Sequence, residues 1–221
     1  MLPPMHIVAV LSEKGGAGKT TTAIHLAVAA TLAGLDTVII DLDPQASAAD
    51  WADRRGHSPE ASAIPPARLV KLLGDLRTNG VELVLIDTGR DSNNAGYTAA
   101  QAADLVLIPC RPGGFDFRAL GRTIDLCRLA GKRPHIVLNA MRPGANRAEV
   151  EAREALAAYE CHIAPVTLHD RAAYRHASIA DKTAQETEPG SAAALEIGQL
   201  YRWLWQQLML SPTQQPDKKA I

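Results

Sequence analysis

The sequence has few cysteines, few aromatic residues and almost no net charge. Its 221 residues include three cysteines and 4% aromatic side chains, with 23 Lys and Arg residues against 24 Asp and Glu residues. The cysteines are far apart and form no C-x-x-C pair, which argues against a disulfide scaffold or a zinc site and favours a reducing compartment. With so few aromatic rings, the core has to consist of Ala, Leu, Ile and Val, which suits helices packed on a buried parallel sheet.

Long hydrophobic runs and a targeting segment are also missing. No apolar run approaches the roughly 20 residues that cross a bilayer, and residues 1–5 lack the basic and apolar regions of a secretory signal. The hydrophobic fraction of 47% is nevertheless ample for one core. We therefore expect a cytoplasmic protein without a membrane contact, formed by a single domain over 1–210 and a polar, frayed tail over 211–221.

Short apolar runs alternate with helical patterns from one end of the chain to the other. This alternation indicates βαβ crossovers and predicts an α/β fold, with a mostly parallel twisted sheet and helices on both faces. The predicted strands cover 6–11, 36–41, 82–87, 104–109, 135–139 and 161–166. The predicted helices cover 20–33, 47–54, 67–78, 94–102, 115–130, 147–159 and 191–210, and 57–66 is predicted as a loop.

Polar residues end several of the predicted strands. Asp41, Asp87 and Asn139 each close an apolar run, and ligands of such sheets bind beyond the carboxyl ends of the strands. Asp and Asn also favour the starts of loops, so each residue alone has a purely structural explanation. Their coincidence with the glycine-rich motif described next favours a common site.

A glycine-rich segment, Ser12-Glu-Lys-Gly-Gly-Ala-Gly-Lys-Thr-Thr21, follows the first predicted strand and opens the first long helix. Glycines let successive backbone N–H groups turn toward phosphate oxygens, and the helix N-terminus adds partial positive charge. Lys19 can reach the β- and γ-phosphates, and the Thr20 hydroxyl can bind Mg²⁺. The strand–loop–helix context favours a P-loop over a chance glycine-rich turn. The predicted nucleotide contacts of this segment are Gly15, Gly16, Ala17, Gly18, Lys19, Thr20 and Thr21.

The segment departs from the usual P-loop in one respect. Glu13 stands where the usual spacing has the first glycine, and Lys14 follows it. The result resembles the deviant Walker A motif, K-G-G-x-G-K-[ST], of the ParA/MinD family of P-loop ATPases. The resemblance implies that Lys14 reaches the partner's nucleotide in an ATP-bound homodimer, where a cation offsets charge on the transferring phosphoryl group. A solvated loop lysine is the alternative.

The resemblance extends over about residues 6–209. The short length and the lack of an N-terminal DNA-binding extension are most similar to small plasmid-partition ATPases of the ParF type. After Asp87 the sequence departs from many relatives, because Thr88-Gly-Arg-Asp91 replaces a segment with a proline, and the role of Arg90 is open. The segments similar to family elements are Asp41-Leu-Asp-Pro-Gln45, the Walker B-like Leu83-Val-Leu-Ile-Asp87, and a switch segment with Ile108, Pro109, Pro112 and Asp116.

The resemblance implies roles for the residues at the strand ends. Asp87 would hold Mg²⁺ directly or through water, Asp41 would support the metal or its waters, and Asp43 would orient the attacking water. A simple turn at Asp-Pro-Gln is the alternative for Asp43. Asn139 would contact adenine, and Pro165-Val166 would form a wall for the base.

The neutral average conceals a basic stretch. Residues 111–150 carry eight basic side chains against three acidic ones, and such stretches are often solvated helix faces. By resemblance, Arg171 and Arg175 lie where relatives bind DNA non-specifically, through phosphate contacts that need no base readout. The last predicted helix has only Arg202 as a basic residue, so core packing explains its apolar residues better than a membrane surface.

The leading hypothesis is an ATP-dependent dimerising partition ATPase. The resemblance implies that the nucleoid-associated dimer binds DNA non-specifically and that a ParB-like partner stimulates ATP hydrolysis. The alternatives are a positioning ATPase for a non-DNA cargo and an ATP-dependent ligase of the dethiobiotin-synthetase kind, which normally lacks Lys14 and the D-x-D-P-Q run. A nitrogenase-like electron donor needs paired cluster ligands, and Cys110 and Cys127 are not in recognisable ligand contexts.

Overall fold

The computed structural model describes residues 2–89, 93–112, 114–159 and 161–210, and the side chains of 93 and 114–118 lie outside this description. The strands are β1 His6–Val10, β2 Thr37–Asp41, β3 Glu60–Ala63, β4 Leu83–Asp87, β5 Leu105–Cys110, β6 His135–Met141 and β7 His162–His169. The helices are α1 Lys19–Leu32, α2 Ser47–Arg55, α3 Leu69–Thr78, α4 Asn93–Ala102, α5 Gly114–Leu129, α6 Asn146–Ala157, α7 Ala172–Ile179, α8 Ala184–Thr187 and α9 Ala192–Leu210.

The strands form one seven-stranded sheet in the order β3-β2-β4-β1-β5-β6-β7. Every described pair of neighbouring strands is parallel, so all carboxyl ends meet at the same edge. In this register Asp87 lies beside Val10 on one side and Asp41 on the other. The predicted α/β fold is therefore confirmed, and the sheet brings two of the predicted site carboxylates together.

Helices cover both faces of the sheet. One buried cluster joins the sheet to α3, α4, α5 and α6, and a second joins it to α1, α2 and α9. Aliphatic residues dominate both clusters, as the scarcity of aromatic residues predicts. In α9, Leu200, Leu204 and Leu208 are each at most 1% exposed. Their spacing of four residues forms one apolar stripe, so the predicted core packing of the last helix is confirmed. None of the helices in the described ranges is long and apolar enough to cross a membrane.

The edges of the sheet differ from the sequence prediction. The predicted loop over 57–66 contains β3, an edge strand with the sequence Glu-Ala-Ser-Ala. Its residues are mostly exposed and lack an apolar run, so the strand forms through its backbone pairing with β2. Helices α7 and α8 were not predicted because they are short, and the predicted tail over 211–221 lies outside the described residues.

A buried histidine of α1, the helix that follows the glycine-rich segment, connects α1 to α8. Nδ1 of His25 is 2.8 Å from the Thr21 carbonyl, and Nε2 accepts the Ala184 N–H at 3.3 Å. Nδ1 therefore carries the proton and donates to the carbonyl, which is the neutral tautomer. Burial lowers the pKa of His25 to about 4, although the Thr21 hydrogen bond and the nearby Glu186 act in the opposite direction.

This histidine makes the fold sensitive to acid. Because the pKa of His25 is about 4 in the folded chain and about 6.5 in the unfolded chain, the unfolded state binds the proton first as the pH falls. Between pH 7 and pH 5 the free energy of unfolding therefore drops by about 2 kcal/mol through this group. We expect His25→Gln to lose that share of the drop in urea denaturation at the two pH values. The matched variant His57→Gln, at an exposed histidine, keeps it, and an unchanged drop in His25→Gln contradicts the prediction.

Candidate functional site

A cavity of about 560 Å³ opens at the carboxyl edge of the sheet. The glycine-rich segment between β1 and α1 forms one wall, and the connections after β2 and β5 form the others. The position agrees with the rule that ligands bind beyond the carboxyl ends of parallel strands. The lining residues are Gly15, Gly16, Gly18, Lys19, Thr20, Thr21, Asp43, Gln45, Ser47 and Arg111.

The backbone of the glycine-rich segment turns sharply into α1. Gly16 and Gly18 adopt φ values of +74° and +96°, which side-chain-bearing residues rarely adopt. Gly18 is the N-cap residue of α1, and no side chain caps the helix and no acidic residue lies in its first turn. The partial positive charge of the helix N-terminus is therefore left for a bound anion.

Asn139, which lies in β6, supports this turn. Its Nδ2 donates a hydrogen bond of 2.6 Å to the carbonyl of Ala17, which is itself 2% exposed. A Cβ on Gly18 would overlap Nδ2 of Asn139. The side chain predicted to contact adenine thus contacts the glycine-rich segment, and in this position it leaves no room for a Cβ at Gly18.

Two lysines flank the turn. Lys19 is only 8% exposed, and its Nζ donates to the Lys14 carbonyl at 3.3 Å. Lys14 is half-buried and lines a smaller recess with Ser12, Ala17 and Arg111. The segment therefore places two cations next to the amide-rich turn, a combination suited to a polyphosphate.

Asp41 organises the connection from β2 to α2. Its side chain is fully buried, and its two oxygens accept hydrogen bonds from the N–H groups of Asp43, Ala48 and Ala49 at 2.9, 2.8 and 3.3 Å. Burial raises the pKa of Asp41, and these three hydrogen bonds lower it in part. Because both oxygens are engaged, Asp41 positions Asp43 and the start of α2.

Asp87 lies on the neighbouring strand β4 and differs from Asp41 in its hydrogen bonding. It is fully buried, and neither oxygen has a hydrogen-bond partner among the described residues. Burial raises the pKa of Asp87 to about 7, while the nearby Thr20 hydroxyl and the Lys19 ammonium lower it. Thr20 is close to Asp87 without satisfying hydrogen-bond geometry.

An unpartnered buried carboxylate beside a hydroxyl fits a hard divalent cation. Mg²⁺ takes oxygen ligands and is usually held by one or two protein groups together with substrate phosphates. Among the described residues no group of three His, Cys, Asp or Glu side chains could hold a metal alone. Asp87 and Thr20 therefore suit a cation that also binds phosphate.

Asp43 faces the cavity from the connection after β2. Its Oδ1 accepts the N–H of Gln45 at 3.0 Å, so the turn at Asp-Pro-Gln forms and the carboxylate also reaches the cavity. A Cβ on Gly89 would lie 3.0 Å from the Asp43 carboxyl carbon. The absence of a side chain at 89 therefore makes room for Asp43.

Other predicted contacts lie away from the cavity. Pro165 is exposed within β7, and Val166 is half-buried and packs against the cluster formed with α1 and α9. Arg171 donates to the Glu196 carboxylate at 2.9 Å, and Arg175 donates to Asp170 at 2.8 Å. The two arginines that follow β7 are therefore each paired with a carboxylate.

Three cavity residues had no predicted role. Gln45 belongs to the D-x-D-P-Q run, Ser47 begins α2, and Arg111 follows β5 within the basic stretch. Of these three residues, only Gln45 could have been predicted from the sequence, because it belongs to a motif that resembles a family element. Of the residues singled out from the sequence, Arg90 and Asp91 lie outside the described residues, as does the side chain of Asp116.

The parallel sheet, the glycine-rich turn between β1 and α1, and carboxylates at the ends of β2 and β4 define a P-loop ATPase. Residues 8–63 match the family model described as CobQ/CobB/MinD/ParA nucleotide binding domain. "Maintenance of carboxysome distribution protein A" of Gloeobacter kilaueensis is 36% identical over 193 residues, which are 82% of this chain and 88% of that protein. The chain belongs to the ParA/MinD family of P-loop ATPases.

One further relative and two solved structures are also similar to the chain. "Protein ParA" of Rhizobium radiobacter is 35% identical over 126 residues, which are 55% of this chain and 56% of that protein. The cell division ATPase MinD of Pyrococcus furiosus superposes with a TM-score of 0.71 over 91% of this chain and 99% of its own, at 18% identity. The apo McdA of Cyanothece superposes with a TM-score of 0.70 over 90% of this chain and 99% of its own, at 17% identity. The chain is therefore a partition or positioning ATPase of the ParA/MinD type.

Proposed function

We propose that the chain is a nucleotide-dependent switch that binds ATP with Mg²⁺ and dimerises, binds DNA non-specifically, and releases it after hydrolysis. The observation that carries this proposal is the cavity in which the turn at Gly15–Gly18, Lys19 and Asp43 surround one space. Such a cavity combines anion-binding amides, a buried cation and a carboxylate that can hold a water, which together suit phosphoryl transfer to water.

Each residue has a role in this proposal. The amides of Gly15 to Thr21 and the ammonium of Lys19 bind the phosphates, and Asp43 accepts a hydrogen bond from the attacking water and orients it. Thr20 and Asp87 hold Mg²⁺, which supplies positive charge to the phosphate oxygens when it is bound. Asp41 positions Asp43 through the 2.9 Å hydrogen bond to its amide.

Lys14 is the residue that couples ATP binding to dimerisation in this proposal. It lies at the rim of the phosphate site, in a recess shared with Ser12 and Arg111. In the proposed homodimer it contacts the nucleotide of the other subunit, so a triphosphate joins two chains that separate after hydrolysis. The useful output of the reaction is then a change of affinity.

DNA binding is proposed for the segment after β7. Arg175 and Asp170 form an exposed pair, with side chains 66% and 61% exposed, and such pairs contribute little to stability. Arg175 can therefore exchange its carboxylate for a DNA phosphate. Arg171 is held more firmly in its ion pair, because the Glu196 side chain is only 12% exposed, and its proposed contact with DNA requires that this pair opens. A ParB-like partner that stimulates hydrolysis would supply sequence specificity, and the ATP-bound dimer would associate with the nucleoid in the cytoplasm.

The substitution Lys14→Ala tests the proposed switch. Loss of a charge-assisted contact to phosphate is expected to weaken ATP-dependent dimerisation by about tenfold or more, while binding of ATP by the monomer is retained. Because the dimer is the proposed DNA-binding form, retention on immobilised non-specific duplex DNA is expected to fall together with dimerisation. Sedimentation and DNA retention with ATPγS and with ADP measure both effects, at one fixed salt concentration.

The control for that experiment is Lys71→Ala, at an exposed lysine on α3. It removes the same charge far from the glycine-rich segment and should behave as the wild type. Equal dimerisation and equal DNA retention of the wild type with ADP and with ATPγS would overturn the proposed switch.

A non-DNA cargo is the second candidate, favoured by the relative named for carboxysome distribution, which covers 82% of this chain. The same ATP-dependent DNA binding would then position a protein assembly on the nucleoid. Deletion of the gene distinguishes the two candidates, because a partition protein loses its plasmid or chromosome from daughter cells. A cargo-positioning protein leaves inheritance intact and displaces the assembly.

A further inference from the structure

We propose that Arg111 binds the terminal phosphate of ATP in its own subunit and makes the site prefer ATP to ADP. The inference rests on the proposed function, because it assigns a further residue to the same nucleotide site. Among the described residues, Arg111 is the cavity-lining arginine.

The sheet places Arg111 at the phosphate site. It follows Cys110, the last residue of β5, and β5 pairs with β1. The N–H of Leu11 donates to the Leu107 carbonyl at 3.0 Å, so the pairing continues to the start of the glycine-rich segment. Arg111 thus emerges at the same edge of the sheet as that segment.

Arg111 lines both the cavity and the smaller recess beside it. It lines the cavity of about 560 Å³ together with Lys19 and Asp43, and it lines the smaller recess together with Lys14. Asp43, on the same cavity as Arg111, is the residue proposed to orient the water that attacks the γ-phosphate within its own subunit. Arg111 therefore lies at the end of the site where the γ-phosphate belongs.

The charge of Arg111 is not neutralised by the described part of the protein. Other arginines near this edge are paired, as Arg122 is with Glu13 at 3.0 Å and Arg175 is with Asp170 at 2.8 Å. Arg111 forms no ion pair within the described ranges. Its guanidinium shares the site with the ammonium groups of Lys14 and Lys19, and the mutual repulsion is relieved when a polyanion binds.

A guanidinium suits this task because it stays charged and donates two parallel hydrogen bonds to a phosphate. The glycine-rich segment and Lys19 hold the phosphates that ATP and ADP share. A contact from Arg111 to the γ-phosphate exists only with ATP, so it increases the affinity for ATP alone.

The substitution Arg111→Gln tests the inference. Affinities for the fluorescent N-methylanthraniloyl derivatives of ATPγS and ADP are measured with Mg²⁺, at a protein concentration where sedimentation shows monomers with either nucleotide. We expect the affinity for the ATPγS derivative to fall about tenfold or more, as for loss of a hydrogen bond between charged groups. The affinity for the ADP derivative stays within about twofold.

Two further variants sharpen the result. Arg111→Lys keeps the charge and is expected to recover part of the affinity for the ATPγS derivative. Arg77→Gln, at an exposed arginine in the last turn of α3, removes an arginine far from the cavity and should match the wild type. Thermal unfolding of Arg111→Gln checks that the variant folds.

An unchanged affinity of Arg111→Gln for the ATPγS derivative overturns the inference, and so does an equal loss for both derivatives. Neither result affects the proposed function, provided that the wild type dimerises with ATPγS. If the wild type fails to bind the ATPγS derivative at all, the proposed function itself is wrong.

Discussion

Replacement of Gly18 by alanine is expected to weaken nucleotide binding strongly and to destabilise the fold. Gly18 has a φ of +96°, and an added Cβ would overlap Nδ2 of Asn139. The left-handed conformation alone costs an L-residue about 1–2 kcal/mol, and overpacking adds about 1–3 kcal/mol. A shift of the turn also moves the amides proposed to bind phosphate, and we expect a loss of affinity on the order of a hundredfold.

Gly34 provides the matched control. It has a φ of +92° after α1, and an added Cβ there would have nothing within 4 Å. Gly34→Ala should therefore show the conformational cost in urea denaturation and bind ADP as the wild type does. A second variant, Gly18→Ala with Asn139→Ala, removes the overlap and should recover part of the stability. Wild-type ADP affinity in Gly18→Ala would contradict the assignment of this turn.

Asp87→Asn is expected to stabilise the protein and to slow Mg²⁺-dependent ATP hydrolysis strongly. The carboxylate is fully buried without a hydrogen-bond partner among the described residues, and a buried neutral amide costs less than a buried charge. We expect the free energy of unfolding without nucleotide to rise by about 2 kcal/mol at pH 8. Hydrolysis should fall on the order of a hundredfold, since the proposed Mg²⁺ would lose its protein carboxylate.

Asp41→Asn is the matched control, because Asp41 lies beside Asp87 in the sheet register. Its oxygens accept three backbone N–H groups, and an amide nitrogen cannot accept them. The same substitution should therefore destabilise the protein by about 1–3 kcal/mol. A loss of stability in Asp87→Asn would contradict the expected gain from removing a buried charge. Hydrolysis at the wild-type rate with Mg²⁺ would show that Asp87 does not hold the metal.

The functional core of the site is local in the sequence. The segment from Ser12 to Thr21 contains the turn, both lysines and the start of α1, because glycine spacing and helix onset are properties of neighbouring residues. Asp41 and Asp87 were predictable because each closes an apolar strand and parallel strands end at one edge. The different environments of Asp41 and Asp87 could not be predicted from the sequence. The hydrogen bonds of Asp41 depend on how α2 begins, which sequence spacing does not give.

Ion pairs and strand pairs between residues distant in the chain could not be predicted from the sequence. Arg171 and Glu196 are 25 residues apart, and only the packing of α9 beside β7 brings their charges together. β3 contains no apolar run, so its strand conformation depends on β2. The basic count over 111–150 likewise did not indicate that Arg122 pairs with Glu13 while Arg111 lines the nucleotide cavity.

The sequence by itself determined the α/β class, the family and the position of the glycine-rich segment between β1 and α1, because each depends on the order and spacing of nearby residues. The tertiary structure decided which carboxylate is satisfied, which arginines are paired and where Arg111 lies. These properties depend on desolvation and on contacts across the sheet, which arise only when the strand order β4-β1-β5 brings the carboxyl ends of separate strands to one edge.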